Sequence, residues 1–285
     1  MKGLNLKDTI HVHPLFFLLA GSALLTGAIY EFVVLFTIVF IHELGHFTAA
    51  RRCGWRVTKM EIWLFGGAVV SEEHNTRPFR EQMLVILSGP IQHVWIAGLL
   101  FGLGNLVGPH PLLEKALLYN GVILLFNLLP VWPLDGGKIC FYAATQVWSF
   151  RQSLAFTILL SCTVLILAFL WLFMEGRWTL SAILLASFLI VENGLEWKRR
   201  SYTQMRYLLY CASQNRTYLK TTYRKADSDT LVRDVLKNVR ANRRYKYVLK
   251  QPSQLYIVDE QECFRVFFDE KKTDLRLGDV RKIAL

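Results

Sequence analysis

The chain has 285 residues, 53% of them hydrophobic, a mean hydropathy of +0.30 and a formal net charge of +11. A water-soluble protein of this length has no use for that much apolar surface, and the excess falls almost wholly before residue 197. An ordinary soluble enzyme is therefore excluded, and lipid is the expected solvent. From Glu196 to Leu285 polarity is ordinary, and 21 Lys and Arg stand against 11 Asp and Glu, so nearly all the positive charge is carried there. Such a tail suits the anionic cytoplasmic face of a membrane better than nucleic acid, and no nucleic-acid partner is expected.

In chain order, six apolar stretches cover residues 14–30, 32–50, 82–104, 117–134, 154–174 and 178–195. Most approach the ~20 residues needed to cross the hydrocarbon core, and the shorter ones fit with little tilt. The first follows Lys2 and Lys7 as a cleavable leader would, but apolar sequence resumes at once with Phe32, so a retained span is expected. With the N-terminus in the cytoplasm, the cytoplasmic segments before the tail hold ten cationic residues, from Lys2 to Arg151. The opposite side holds only Lys115 and Arg177. That asymmetry predicts cytoplasmic N- and C-termini. The five cysteines, Cys53, Cys140, Cys162, Cys211 and Cys263, have no paired spacing; no disulfide framework or zinc knuckle is expected, and the two in the tail fit a reducing cytosol.

Between the second and third stretches lies Glu61-Ile62-Trp63-Leu64-Phe65-Gly66-Gly67-Ala68-Val69-Val70, too short to span as a helix. Its glycine pair and β-formers predict a short strand or hairpin, either bordering a wet cavity or lying at the interface.

Phe40-Ile41-His42-Glu43-Leu44-Gly45-His46-Phe47 carries the pattern HExxH. Residues four apart share a helix face, so His42 and His46 can aim imidazole nitrogens at one Zn²⁺. Glu43 sits beside that face, placed to reach a water at the metal without ligating it. Two histidines and a glutamate in an apolar span are expensive to bury and are functional candidates for that reason. The alternative is that the histidines only hydrogen-bond between packed helices.

A catalytic zinc takes three protein ligands and keeps one position open. Polar candidates for the third are Glu31, His93, Asp135, Glu175 and Glu192. Asp135 stands out because Pro130 and Pro133 interrupt the helix before it, and Gly136-Gly137 permits a tight turn after it. It is either a ligand or the cap of a helix over 138–148.

HELGH in a membrane helix, followed by NxxPxxxxDG from Asn127 to Gly136, resembles the site-2 protease family of intramembrane metalloproteases, over roughly residues 10–195. The resemblance implies that His42, His46 and Asp135 ligate zinc, that Glu43 is the general base, and that the Gly66, Gly67, Ala68, Val69, Val70 strand binds substrate. Asn127 and Pro133 are implied to line the same region. Many relatives read Gly-Pro-x-x-Asn in the third span; here it is Gly89-Pro90-Ile91-Gln92-His93, and His93 is either a hydrogen-bond partner within the site or, as favoured on sequence, a packing residue. By length and layout the chain resembles the sporulation branch. That implies pro-sigma-K, through its membrane-associated pro-sequence, as substrate, inhibitory membrane proteins of a sporulation complex as partners, and the outer forespore membrane as location.

In the tail, Leu231–Val239 reads as a helix, and Gln254–Asp259 and Cys263–Phe268 read as two strands joined by Glu260-Gln261-Glu262. This resembles a single CBS motif, which implies a homo-oligomer through pairing of tails, and ATP as a ligand. The nucleotide contacts are incomplete, since Thr273-Asp274 lacks the Ser/Thr-x-x-Asp spacing. The expected architecture is an all-α polytopic membrane domain of six transmembrane helices with a short membrane-level β segment (1–196), a linker (197–216) and a small α/β cytoplasmic CBS-like domain (217–285). Two other functions share these residues: a metal transporter using the His/Asp site, and a non-catalytic membrane scaffold acting through its basic tail. The apolar spans after Arg151 supply almost no polar path until Glu192, which counts against the first.

Overall fold

The computed structural model describes residues 10–63, 66–71, 75–176, 179–214, 216, 219–240, 242–250, 255–270, 272 and 274–284. A short strand β1 (Ile10–Val12) leads into helix α1 (Pro14–Leu25) and helix α2 (Ile29–Arg52). A hairpin of β2 (Val57–Trp63) and β3 (Gly66–Ser71) follows, then α3 (Phe79–Val107), α4 (Pro111–Asn127), α5 (Asp135–Thr145), α6 (Phe150–Met174) and α7 (Leu180–Ser213). The tail contributes β4 (Lys220–Ala226), α8 (Val232–Leu236), β5 (Arg243–Lys250), β6 (Leu255–Asp259), α9 (Glu260–Phe268) and α10 (Leu277–Ala284).

Four of the six expected spans, α2, α3, α6 and α7, are long and apolar enough to cross a bilayer. Their outward side chains include Trp95, Leu99, Leu159, Trp171 and Phe173, all exposed, as suits lipid and not water. The protein is an integral membrane protein. At 1.5 Å per residue, α1 extends about 18 Å and α4 about 25 Å, short of a ~30 Å core.

Two compact units are distinguished. The first comprises Met1–Ile139 with Ser161–Ile190. Its sheet has the order β1-β2-β3, with β1 parallel to β2 (Ile10 opposite Met60) and β2 antiparallel to β3 (Trp63 opposite Gly66). The expected hairpin is thus present, completed by a strand from the N-terminal segment that sequence reasoning did not anticipate. Leu64 and Phe65 lie outside the described residues. β3 is an edge strand among the described residues, and β2 and β3 both lie against α2. The end of α2 is anchored where Ala49, Ala50, Trp55, Val57 and Val85 pack as a buried cluster, and Trp55 Nε1 donates to Glu81 Oε2 at 3.1 Å.

Helices α2 and α3 meet closely at a pair of glycines. A Cβ on Gly45 would lie 2.5 Å from the Ser88 carbonyl oxygen and 2.7 Å from Gln92 Cγ. Small residues of this kind let membrane helices approach until their backbones touch. Gly136 and Gly137 differ from expectation. They do not turn the chain; they lie within the first turn of α5, and neither has a positive φ. A Cβ on Gly136 would overlap the carbonyl oxygens of Leu128 and Leu129, and one on Gly137 would lie 2.5 Å from that of Val131. The glycines are needed because the segment after α4 folds directly onto α5.

The second unit comprises Cys140–Leu160 with Val191–Leu285. Residues 197–213, expected as linker, are helical and belong to α7. The tail sheet has the order β4-β5-β6, with β4 parallel to β5 and β5 antiparallel to β6. Tyr245, Tyr247, Leu249, Val258, Phe264 and Val266 fill its core. The helix expected over Leu231–Val239 is a shorter one, α8. The strand expected over Cys263–Phe268 is a helix, α9. Asp259 ends β6 and caps α9, its carboxylate accepting from Gln261 N at 3.1 Å, while Glu262 Oε2 accepts from Asp259 N at 3.1 Å. That reciprocal capping box starts a helix where the sequence had suggested a β-turn, and Glu260, Cys263 and Phe264 then share its buried face. Gln254 and Thr273 lie outside the described residues.

Within this unit Asn242 Nδ2 donates to the Gln146 carbonyl at 2.9 Å, and the rings of Phe150 and Tyr207 stack with centroids 4.6 Å apart.

Candidate metal centre

The i, i+4 spacing on α2 brings the His42 and His46 rings together edge to face, with centroids 4.7 Å apart and Nε2 atoms 3.0 Å apart. Asp135, the first residue of α5, places Oδ2 3.2 Å from His42 Nε2 and 3.1 Å from His46 Nε2. All three side chains are buried. Asp135 Oδ1 faces Lys138 Nζ at 3.4 Å, one turn along α5. Both carboxylate oxygens are therefore turned to cations or imidazoles, and the competing reading of Asp135 as a helix cap is not what the geometry favours.

The fit to a metal can be judged from the triangle of donor atoms. A tetrahedral ion with bonds of ~2.0–2.1 Å requires donors about 3.3 Å apart. The three edges here are 3.0, 3.2 and 3.1 Å. Asp135 Oδ2 is buried against the two imidazole nitrogens and, among the described residues, is left without a hydrogen-bond donor, an expensive arrangement unless a cation is its partner. Two nitrogens and one carboxylate oxygen form the donor set of a catalytic zinc with one open position. Space for it is kept by α3, because a Cβ on Gly89 would overlap Nε2 and Cε1 of His46 and lie 2.8 Å from His42 Cε1.

The outer nitrogens are held too. His46 Nδ1 lies 2.8 Å from the Val85 carbonyl oxygen, to which it donates, leaving Nε2 as the ligating atom. His42 Nδ1 lies 3.0 Å from His93 Nε2, and His93 Nδ1 lies 2.7 Å from Asn120 Oδ1. His93 is thus a hydrogen-bonded member of the site and not the packing residue the sequence favoured; its partner on α4 lies far along the chain.

Glu43, next to His42, is buried and borders an apolar cavity of about 320 Å³ walled by Phe16, Phe32, Phe36 and Val39. Gly66, Gly67, Ala68, Val69 and Val70 lie on β3, the edge strand beside α2. Asn127 ends α4, and its Nδ2 donates to the Ile123 carbonyl at 3.0 Å, within its own helix. Pro133 follows as a half-buried residue of the α4–α5 connection, after Trp132 N, which donates to Ser161 Oγ at 3.1 Å. Of the other ligand candidates, Glu31 pairs with Lys115 at 2.6 Å and does not join the site.

Sequence reasoning missed Asn120, Lys138 and the Val85 carbonyl. Asn120 had a usable signal, a buried amide in an apolar span, where polar groups are costly. A backbone carbonyl leaves no trace in composition.

The sequence profile of the family described as Peptidase family M50 matches residues 30–115 and 107–171. Over 98% of both chains, the sequence is 34% identical to the stage IV sporulation protein FB of Bacillus subtilis (strain 168). It is 26% identical to a zinc metalloprotease of Methanocaldococcus jannaschii, over 70% of this chain and 59% of that one. The solved structure of a site-2 protease from Methanocaldococcus jannaschii superposes with a TM-score of 0.54 at 21% identity, covering 69% of this chain and 94% of that chain.

Proposed function

The chain belongs to peptidase family M50, the site-2 proteases, and is a metalloprotease; from that premise we propose that it hydrolyses a peptide bond of a membrane-associated protein at a zinc held by His42, His46 and Asp135. The observation that carries this is the buried triangle of His42 Nε2, His46 Nε2 and Asp135 Oδ2, with edges of 3.0–3.2 Å. Bound there, zinc supplies Lewis acidity to water and to the scissile carbonyl. Glu43 takes a proton from the attacking water and returns it to the leaving amine nitrogen. Val85 and His93 orient the two imidazoles, and Lys138 holds the outer oxygen of Asp135.

The substrate strand adds to the edge of β3, through Gly66–Val70, so that an extended segment is presented beside α2. Asn127 and Pro133 belong to the same region. The substrate is the pro-sequence of pro-sigma-K, a reading supported by 34% identity over 98% of both chains to the sporulation protein. Inhibitory membrane partners and the outer forespore membrane belong to the same reading. In this reading the termini are cytoplasmic and the spans six; the cationic asymmetry supports the first, and span-length helices support four of the six. We assign residues 1–196 to the membrane domain and 217–285 to a CBS-like tail that pairs between chains, supported by a helix after Thr230 and a strand ending Ile257-Val258-Asp259.

The test is zinc content and cleavage of a membrane-tethered substrate by purified protein, compared with Glu43→Gln. The variant keeps zinc and loses roughly two to four orders of magnitude in rate. Near-normal turnover would remove Glu43 from the mechanism.

A further inference from the structure

The three helices around the donor triangle share a buried polar chain that the protease chemistry does not itself require. It runs from His42 on α2 to His93 on α3 to Asn120 on α4, and all three side chains are buried. His42 turns Nε2 to Asp135 and His46, so as a ligand its remaining proton sits on Nδ1, 3.0 Å from His93 Nε2. To accept that proton, His93 must leave Nε2 bare and carry its own on Nδ1, 2.7 Å from Asn120 Oδ1. Asn120 Nδ2 in turn donates to the His93 backbone carbonyl at 2.9 Å. Reversing the amide would set its NH₂ against the His93 Nδ1–H and its oxygen against a carbonyl oxygen, so only one orientation satisfies every group. The chain of hydrogen bonds has one consistent direction, set by a residue that cannot change its protonation.

We propose that Asn120, acting through His93, is a positioning residue for the metal: it fixes the His93 tautomer, which holds His42 with Nε2 bare and aimed at the ion. His46 gets the same service from a rigid backbone carbonyl, Val85. Among the described residues, the hydrogen-bond partner of His42 Nδ1 is His93 Nε2, and His42 relies on a two-residue relay across three helices. Burial makes the relay strict, because an imidazole in the wrong tautomer would leave unpaired polar groups where water cannot repair them. The metal affinity of the site therefore depends on α4, an element that contributes no ligand.

This inference rests on the metal-site reading proposed above, and the experiment separates the two. Zinc affinity is measured on full-length protein in detergent by competition with a chromogenic chelator, and the ligand geometry by the visible spectrum of the Co²⁺-substituted protein. His93→Leu is expected to weaken zinc 10- to 100-fold, and to alter the Co²⁺ spectrum. His93→Gln, whose carbonyl oxygen can accept from His42 Nδ1, recovers most of that loss. Asn120→Ala weakens zinc in the same direction by a smaller factor, and adding it to His93→Leu costs nothing further, since Asn120 works only through His93. Wild-type affinity and spectrum in both His93→Leu and Asn120→Ala, or His93→Gln as weak as His93→Leu, or additive losses in the double variant, would each overturn the relay. Thermal unfolding of the metal-free proteins accompanies each variant, and if His93→Leu does not fold, the comparison of Asn120→Ala with His93→Gln decides the matter. His46→Ala is the control: zinc retained in that variant would sink the metal-site reading itself, whatever the relay variants do.

Discussion

Gly89 on α3 sits so close to His46 on α2 that a Cβ added to it would overlap Nε2 and Cε1 of the imidazole. At this point the neighbouring helix meets the His46 ring with bare backbone.

Gly89→Ala separates helix stability from site geometry. Alanine in a helix interior is favoured over glycine by about 1 kcal/mol, so α3 gains intrinsic helical preference. The new methyl occupies space His46 needs. The expected outcome is unchanged helicity by circular dichroism with zinc affinity reduced roughly 10- to 100-fold and cleavage reduced with it. Wild-type zinc affinity in this variant would mean that the two helices separate easily, and that the close approach is not a constraint.

Asp135→Asn removes the charge that faces both imidazoles, 3.1 and 3.2 Å away. A neutral amide is a poorer zinc ligand, so metal affinity and cleavage fall together. Lys138→Met removes only the partner of the outer oxygen, at 3.4 Å, and its effect on zinc is the smaller of the two. Equilibrium dialysis with zinc on both variants checks the order. Should Asp135→Asn lose thermal stability while zinc affinity holds, the residue is a helix cap.

The free edge of β3 is tested by proline at adjacent positions. Successive N–H groups on a strand point to opposite sides, so of Gly67→Pro and Ala68→Pro one strikes the β2 ladder and the other the free edge. The edge variant keeps zinc and loses cleavage of a membrane-tethered substrate. Unimpaired cleavage in both would remove β3 from substrate binding.

The tail carries a pH dependence of its own. Burial pushes the Glu260 carboxyl up to about 7, against the opposing influence of Arg216, whose Nη1 lies 3.0 Å away, and of the Tyr245 N–H at 2.8 Å. The ordinary value is 4.5, so between pH 4.5 and about 7 the folded tail holds a proton that the unfolded tail has lost. The contribution of Glu260 to stability is then greatest below pH 4.5, declines as pH rises through that window and levels off above about 7; the loss is on the order of 3 kcal/mol. Hydrogen exchange of β5 and α9 amides in the full-length protein, corrected for intrinsic rates, follows it. Glu260→Gln flattens the profile, and an unchanged slope in that variant would assign the dependence to another group.

Much of this molecule is written locally. Four of the six apolar stretches coincide with helices long and apolar enough to cross a bilayer, because each must cover its own backbone and side chains against the same solvent. HExxH fixed one face of α2, because four residues make little more than one helical turn. The pairing of Asp135 with that face came from a resemblance to relatives; on residues alone it was still either ligand or cap. Errors arose where neighbouring signals competed. Glu260-Gln261-Glu262 looked like a turn between strands until the capping box from Asp259 set a helix, and Gly136-Gly137 looked like a bend when its function is to let the segment after α4 lie on α5. Only the tertiary structure decided that His93 reaches His42, that Asn120 from a third helix hydrogen-bonds His93, and that Gly89 leaves room for His46. Those relationships join residues on three helices, and they depend on how closely the helices pack, a distance set by every side chain at the crossing and by no single stretch of sequence.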